Sequence, residues 1–64
     1  MTTYNAGYHK GVVDNLRNEF KKTCKRDCTL TDEQIWRIFD NTVAPTSEEQ
    51  TEWCVEEMAE TETK

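Results

Sequence analysis

No apolar run in this sequence reaches five residues. That excludes a membrane-spanning helix, which needs about 20 consecutive apolar residues, and a signal-peptide core. The expectation is a chain that works in the cytoplasm and does not engage a membrane. Cysteine is present three times, at Cys24, Cys28 and Cys54. An odd number rules out a fully paired disulfide framework within one chain, and in a reducing compartment the three are most simply free thiols. One Pro and two Gly leave no flexible linker, so a single helical domain is expected over residues 1–60, with 61–64 as a frayed tail. There is one His and no Gly-rich loop, and no pairing of nucleophile and base. No catalytic residue, cofactor or enzymatic activity is assigned.

The most informative absence is of positive charge. Residues 46–63 hold seven Glu and no Lys or Arg. By contrast, residues 1–26 carry six Lys/Arg against two Asp/Glu, a formal +4, and residues 27–64 carry two against eleven, a formal −9. Segregated charge steers association and rejects like-charged surfaces, so it bears on partners rather than on fold. Hydrophobic content is 34% and charged content 33% in 64 residues. A core of that size is small, and a chain this short buries only about 60% of its unfolded surface.

What is present is helical periodicity. Tyr8, Val12, Leu16, Phe20 and Cys24 recur every four residues, with Val13 beside them, which predicts a first helix from Ala6 to Asp27 capped by Asn5. Lys21, Lys22, Lys25 and Arg26 then complement the negative end of its dipole. Thr31 and Gln34 read as a capping box, with Leu30 and Ile35 as a hydrophobic staple. They open a short second helix that places Ile35, Trp36, Ile38 and Phe39 on a wide apolar face and stops at a left-handed Asn41. Val43 is expected to plug the core from the linker. Thr46 and Glu49 form a second capping signal after Pro45, opening a third helix over 47–60 with Trp53, Cys54 and Met58 on one side. Together these predict an all-α fold, a small three-helix bundle with a long first helix and two shorter ones. The longer helix should project beyond the others, carrying Tyr4 and Tyr8, and Gly7 and Gly11 on one side of it predict a close backbone approach. The alternative is a helix that begins near Gly11.

Three constellations have chemical content. Cys24 and Cys28 share a helix face and, with His9 and Cys54, would number four zinc ligands. Structural zinc sites pair their ligands closely twice, and the second close pair is missing here. No metal site is assigned, and Cys24 and Cys54 read as small buried hydrophobes. The second is a basic patch, Arg17, Lys21, Lys22, Lys25 and Arg26, the pattern that phosphate contacts require. A net charge of −5 and the acidic third helix argue against nucleic acid, and the alternative is a solvated stripe that pairs with the chain's own acids. The third is the ridge Glu48, Glu52, Glu56 and Glu60, flanked by Glu49 and Glu57. Like charges at this spacing destabilise a helix, and an ordinary soluble surface mixes both signs.

That ridge predicts a non-enzymatic protein that docks a protein partner with a basic surface, Trp36 or Trp53 serving as anchor, and that inhibits or regulates it. A nucleic-acid-handling partner is the sharper form. The basic patch as a nucleic-acid-binding module is the alternative. Opposed charges on the first and third helices also permit a homodimer. Whether Trp36 lies in the core or at its rim is open at this level. Small size and acidity are in the style of accessory proteins encoded by phages and mobile elements, a likeness that rests on no motif.

Overall fold

A computed structural model describes residues 3–63. Met1 and Thr2 of the expected domain and Lys64 of the expected tail lie outside the described residues. Three helices, α1 (Ala6–Cys24), α2 (Asp32–Asn41) and α3 (Ser47–Glu62), pack pairwise into a three-helix bundle measuring 27 × 25 × 20 Å.

Each helix begins where a side chain can satisfy its free N–H groups. Asn5 accepts from the Gly7 N–H at 3.0 Å, Thr31 from Gln34 at 3.2 Å and Thr46 from Glu49 at 3.1 Å. The Gln34 side chain returns a bond to the Thr31 N–H at 2.8 Å, completing the box. The first helix therefore starts at Ala6, not near Gly11. The helix ends depart from expectation. α1 stops at Cys24 rather than Asp27, because Lys25 turns into the left-handed region (φ 56°) and its N–H closes on the Lys21 carbonyl. Asn41 stays helical, and the extended Thr42 ends α2, its N–H bonded to the Phe39 carbonyl at 3.2 Å. α3 runs two residues past its expected end, where Glu62 takes up a tertiary role.

The core is Val13, Leu16 and Phe20 from α1, Leu30 from the loop, Ile35 and Trp36 from α2, and Cys54, Val55 and Met58 from α3. The expected α1 stripe is rotated. A repeat of four slips about 40° per step round a helix of 3.6 residues per turn. The buried line therefore follows Val13, Leu16 and Phe20, leaving Val12 37% and Tyr8 83% exposed. Tyr8 projects, but Tyr4 folds back half-buried against the core with its hydroxyl 3.4 Å from Asp32. Among the described residues no backbone beyond the helix itself approaches the two glycines: a Cβ at Gly11 would meet nothing within 4 Å, and one at Gly7 only the side chain of Asn5.

Val43 is not a plug. Thr42 faces inward, donating to the Ile38 carbonyl at 2.7 Å and accepting from the Cys54 thiol at 3.5 Å. Successive side chains of an extended segment alternate in direction, so Val43 points out and is 85% exposed.

The loop between α1 and α2 is clamped from two sides. Arg17 Nη1 donates to the carbonyls of Cys28 (3.3 Å) and Leu30 (2.9 Å), and Nη2 donates to Asp32. From α3, the Glu62 carboxylate accepts the N–H of Thr29 and its hydroxyl, the latter at 2.6 Å, while Arg26 Nη1 lies 3.0 Å away as a charge partner.

Candidate functional site

Charge pairing divides the molecule. Lys10 pairs with Asp14 and Asp32, Lys21 with Asp27, Lys22 with Glu19, Arg26 with Glu62 and Arg37 with Glu33. Arg17 is half-buried on Asp32 and two loop carbonyls. Among the described residues, Lys25 alone of the Lys and Arg has no ion pair, and its left-handed backbone takes it out of line with Arg17 and Lys21. The basic residues singled out in the sequence are thus largely engaged within the chain and do not form one continuous stripe.

The carboxylates of α3 are in the opposite condition. Glu48, Glu52, Glu56, Glu57 and Glu60 are exposed and Glu49 is half-buried. Among the described residues none of the six forms an ion pair, whereas Glu62, at the end of the same helix, does. Glu48 and Glu49 lie in the first turn, where the helix dipole favours them. The ridge from Glu48 to Glu60 covers about 18 Å at about 1.5 Å per residue.

The two tryptophans separate. Trp36 is a core residue, 7% exposed, stacked on His9 (centroids 4.0 Å apart, planes within 8°) and on Phe39 at 5.3 Å. Its place as a partner anchor is therefore corrected. Trp53, expected on one side of α3 with Cys54 and Met58 and offered as the other anchor, is 44% exposed. It sits about 100° round the helix from Cys54, on the side away from Val55, because the buried face of α3 follows Cys54, Val55 and Met58. That places it among the carboxylates, with Glu49, Glu56 and Glu57 at i−4, i+3 and i+4.

Trp53, Val43 and Ile38 also line a shallow groove of about 560 Å³ between α2 and α3, with Arg37, Glu56 and Glu57 at its polar margin. Sequence reasoning missed this groove because it placed Val43 in the core and Trp53 on the same side of α3 as Cys54 and Met58. No local signal turns Val43 outward; its direction follows from Thr42, which faces inward onto Ile38 and Cys54.

The thiols are free, with Cys54 buried and Cys24 and Cys28 half-buried. Burial raises the pKa of both Cys54 and Cys28, and the nearby Glu62 carboxylate raises that of Cys28 further. Hydrogen bonds from the Thr29 hydroxyl and N–H, with the charge of Arg26, hold the Glu62 carboxyl below its ordinary value against the effect of burial. Among the described residues, no three His, Cys, Asp or Glu side chains are grouped to hold a metal ion, and no helix is long and apolar enough to cross a membrane.

Comparison with known proteins finds no matching family model, no matching curated protein and no matching solved structure.

Proposed function

We propose that this chain is a small non-enzymatic helical protein that docks on another protein, presenting the carboxylate face of α3 to a basic surface and Trp53 as the apolar anchor within it. The observation that carries the reading is the asymmetry of pairing. Nearly all the described cations of the chain are engaged with its own acids, while six α3 carboxylates form no ion pair among the described residues. Unpaired charge of one sign on one face costs stability and selects a partner of the opposite sign. Six carboxylates over about 18 Å give about 3 Å of axis per charge, close to the roughly 3.4 Å per phosphate along one DNA strand. That spacing supports the sharper form, in which the face covers the phosphate-binding surface of a nucleic-acid-handling protein and so inhibits or regulates it.

The test compares the chain with a Glu52→Gln, Glu56→Gln, Glu60→Gln variant in pull-downs at 50 and 500 mM salt, roughly 14 and 4 Å of Debye screening. The reading expects a partner that is released by salt and by competing duplex DNA and lost in the variant. Equal capture by the variant overturns it. Solution mass at both salts excludes the case in which the opposite charges of two copies serve each other.

A further inference from the structure

The groove between α2 and α3 combines three features that favour a cation. The exposed indole of Trp53 forms one wall, and indole faces are the strongest aromatic platforms for a cation. Glu56 and Glu57 share that wall, and neither is ion-paired among the described residues. Asn41, the last residue of α2, lies in the opposite wall, and the last turn of that helix contains no basic residue, so no cation of that turn offsets the negative end of its dipole, although Thr42 and Gln50 donate to the Ile38 and Phe39 carbonyls. The one cation at the margin, Arg37, is held by Glu33 one turn back at 3.0 Å. Val43 and Ile38 supply an apolar surface suited to a methylene stem.

We propose that this groove receives an arginine side chain presented by a basic segment of the partner protein. The guanidinium stacks on Trp53, the carboxylates of Glu56 and Glu57 meet its fork of N–H groups, and its stem lies along Val43 and Ile38. Arginine fits where lysine does not, because the guanidinium is planar, stacks on aromatic faces, forks onto carboxylates and is less strongly hydrated than an ammonium. The inference rests on the docking reading above and specifies its anchor point.

The chain has two Trp, so its two indole N–H signals in a ¹⁵N-labelled sample separate the groove from the core. Hexa-arginine is titrated into the full chain at low salt, with hexalysine and an uncharged apolar hexapeptide as comparisons. The Trp53 signal is expected to shift saturably while that of Trp36 stays in place. Hexalysine, Trp53→Leu, and Glu56→Gln combined with Glu57→Gln should each weaken binding about five- to tenfold, the size of a partly exposed cation–π or ion-pair contact. Persistence of the Trp36 signal shows that the variants remain folded. Hexa-arginine binding that leaves Trp53 unmoved and is undiminished in Trp53→Leu overturns the groove but leaves the acidic face standing. Equal affinity for hexalysine, or an equal response to the apolar peptide, overturns arginine recognition. Absence of binding by either basic peptide overturns both readings.

Discussion

Replacing Arg17 tests whether the basic residues of α1 are structural or form a nucleic-acid site. Arg17 donates to two loop carbonyls and to the Asp32 carboxylate, joining α1 to the start of α2. Its side chain is 31% exposed and that of Asp32 35%. A hydrogen bond involving a charged group contributes about 1.5–3 kcal/mol when well shielded, and less where water competes. Taking about 1 kcal/mol for each of the three contacts, Arg17→Ala should lose about 2–3 kcal/mol. A chain of this length has a total stability of about 3–10 kcal/mol. At about 4–8 °C per kcal/mol, the melting temperature should fall by roughly 10–20 °C. Arg17→Lys keeps the charge but cannot fork to three acceptors, so it should lose about 1–2 kcal/mol. Urea unfolding followed by circular dichroism at 222 nm reads both, and a double-mutant cycle with Asp32→Ala should show a coupling of about 1 kcal/mol. An Arg17→Ala variant within about 0.5 kcal/mol of the parent, or Arg17→Lys as stable as the parent, would refute the reasoning and return Arg17 to the surface, available for phosphate.

Four other outcomes are expected. The pKa of Glu62 is lowered in the folded state, so its contribution to stability is present above the unfolded carboxyl pKa, near 4.3, and is lost as pH falls through the folded value; the stability gap between the parent and Glu62→Gln, read from urea midpoints, should be full at pH 7 and close toward pH 3. Lys25→Gly should gain about 0.5–1 kcal/mol, because glycine removes the left-handed penalty while loosening the unfolded chain, and a destabilised variant would count against the φ of 56°. Trp36→Ala should cost about 3–5 kcal/mol and Trp53→Ala under about 0.5, as melting curves of the two would show. The Glu52→Gln, Glu56→Gln, Glu60→Gln variant should be about 1 kcal/mol more stable than the parent, since it removes the i,i+4 and i,i+3 repulsions along the ridge, and an unchanged urea midpoint would contradict that.

The starts of all three helices were legible because each is decided within three residues by a side-chain acceptor: Asn5, Thr31 and Thr46. The ends were not. No glycine marks the end of α1; it turns at Lys25, where Arg17 and Glu62 draw the following loop onto the bundle, and those partners are 11 to 33 positions away. Asn41 carried a local stop signal that Thr42 overrode by bonding to Ile38 and Cys54. Burial was legible in kind but not in phase. The four-residue recurrence from Tyr8 identified a helix, yet its slip round the axis carried Tyr8 and Val12 to the surface. The acidic face of α3 could be read directly, since like charges avoid the core whatever the fold. The groove beside it could not, because it depends on the direction in which a linker residue points.

The stability of α3 and its proposed use pull against each other. Five Glu–Glu pairs lie at i,i+3 or i,i+4 spacing between Glu48 and Glu60, and at about 0.2–0.5 kcal/mol each they cost about 1–2.5 kcal/mol, a large share of what so small a core supplies. The rest of the chain shows that it can neutralise charge: the carboxylate of Glu62 is met by Arg26 and Thr29, and Asp32 is met by Arg17 and Lys10. Both of those acids hold the fold together. The six carboxylates from Glu48 to Glu60 form no ion pair among the described residues, and they flank the one large aromatic side chain that α3 leaves in solvent. A solubilising surface requires neither that density of one sign nor a tryptophan in its midst. On the proposed reading, the repulsion is relieved when a basic partner binds. Its relief then adds to the affinity, so the neutralised variant should bind less well for the same reason that it folds better.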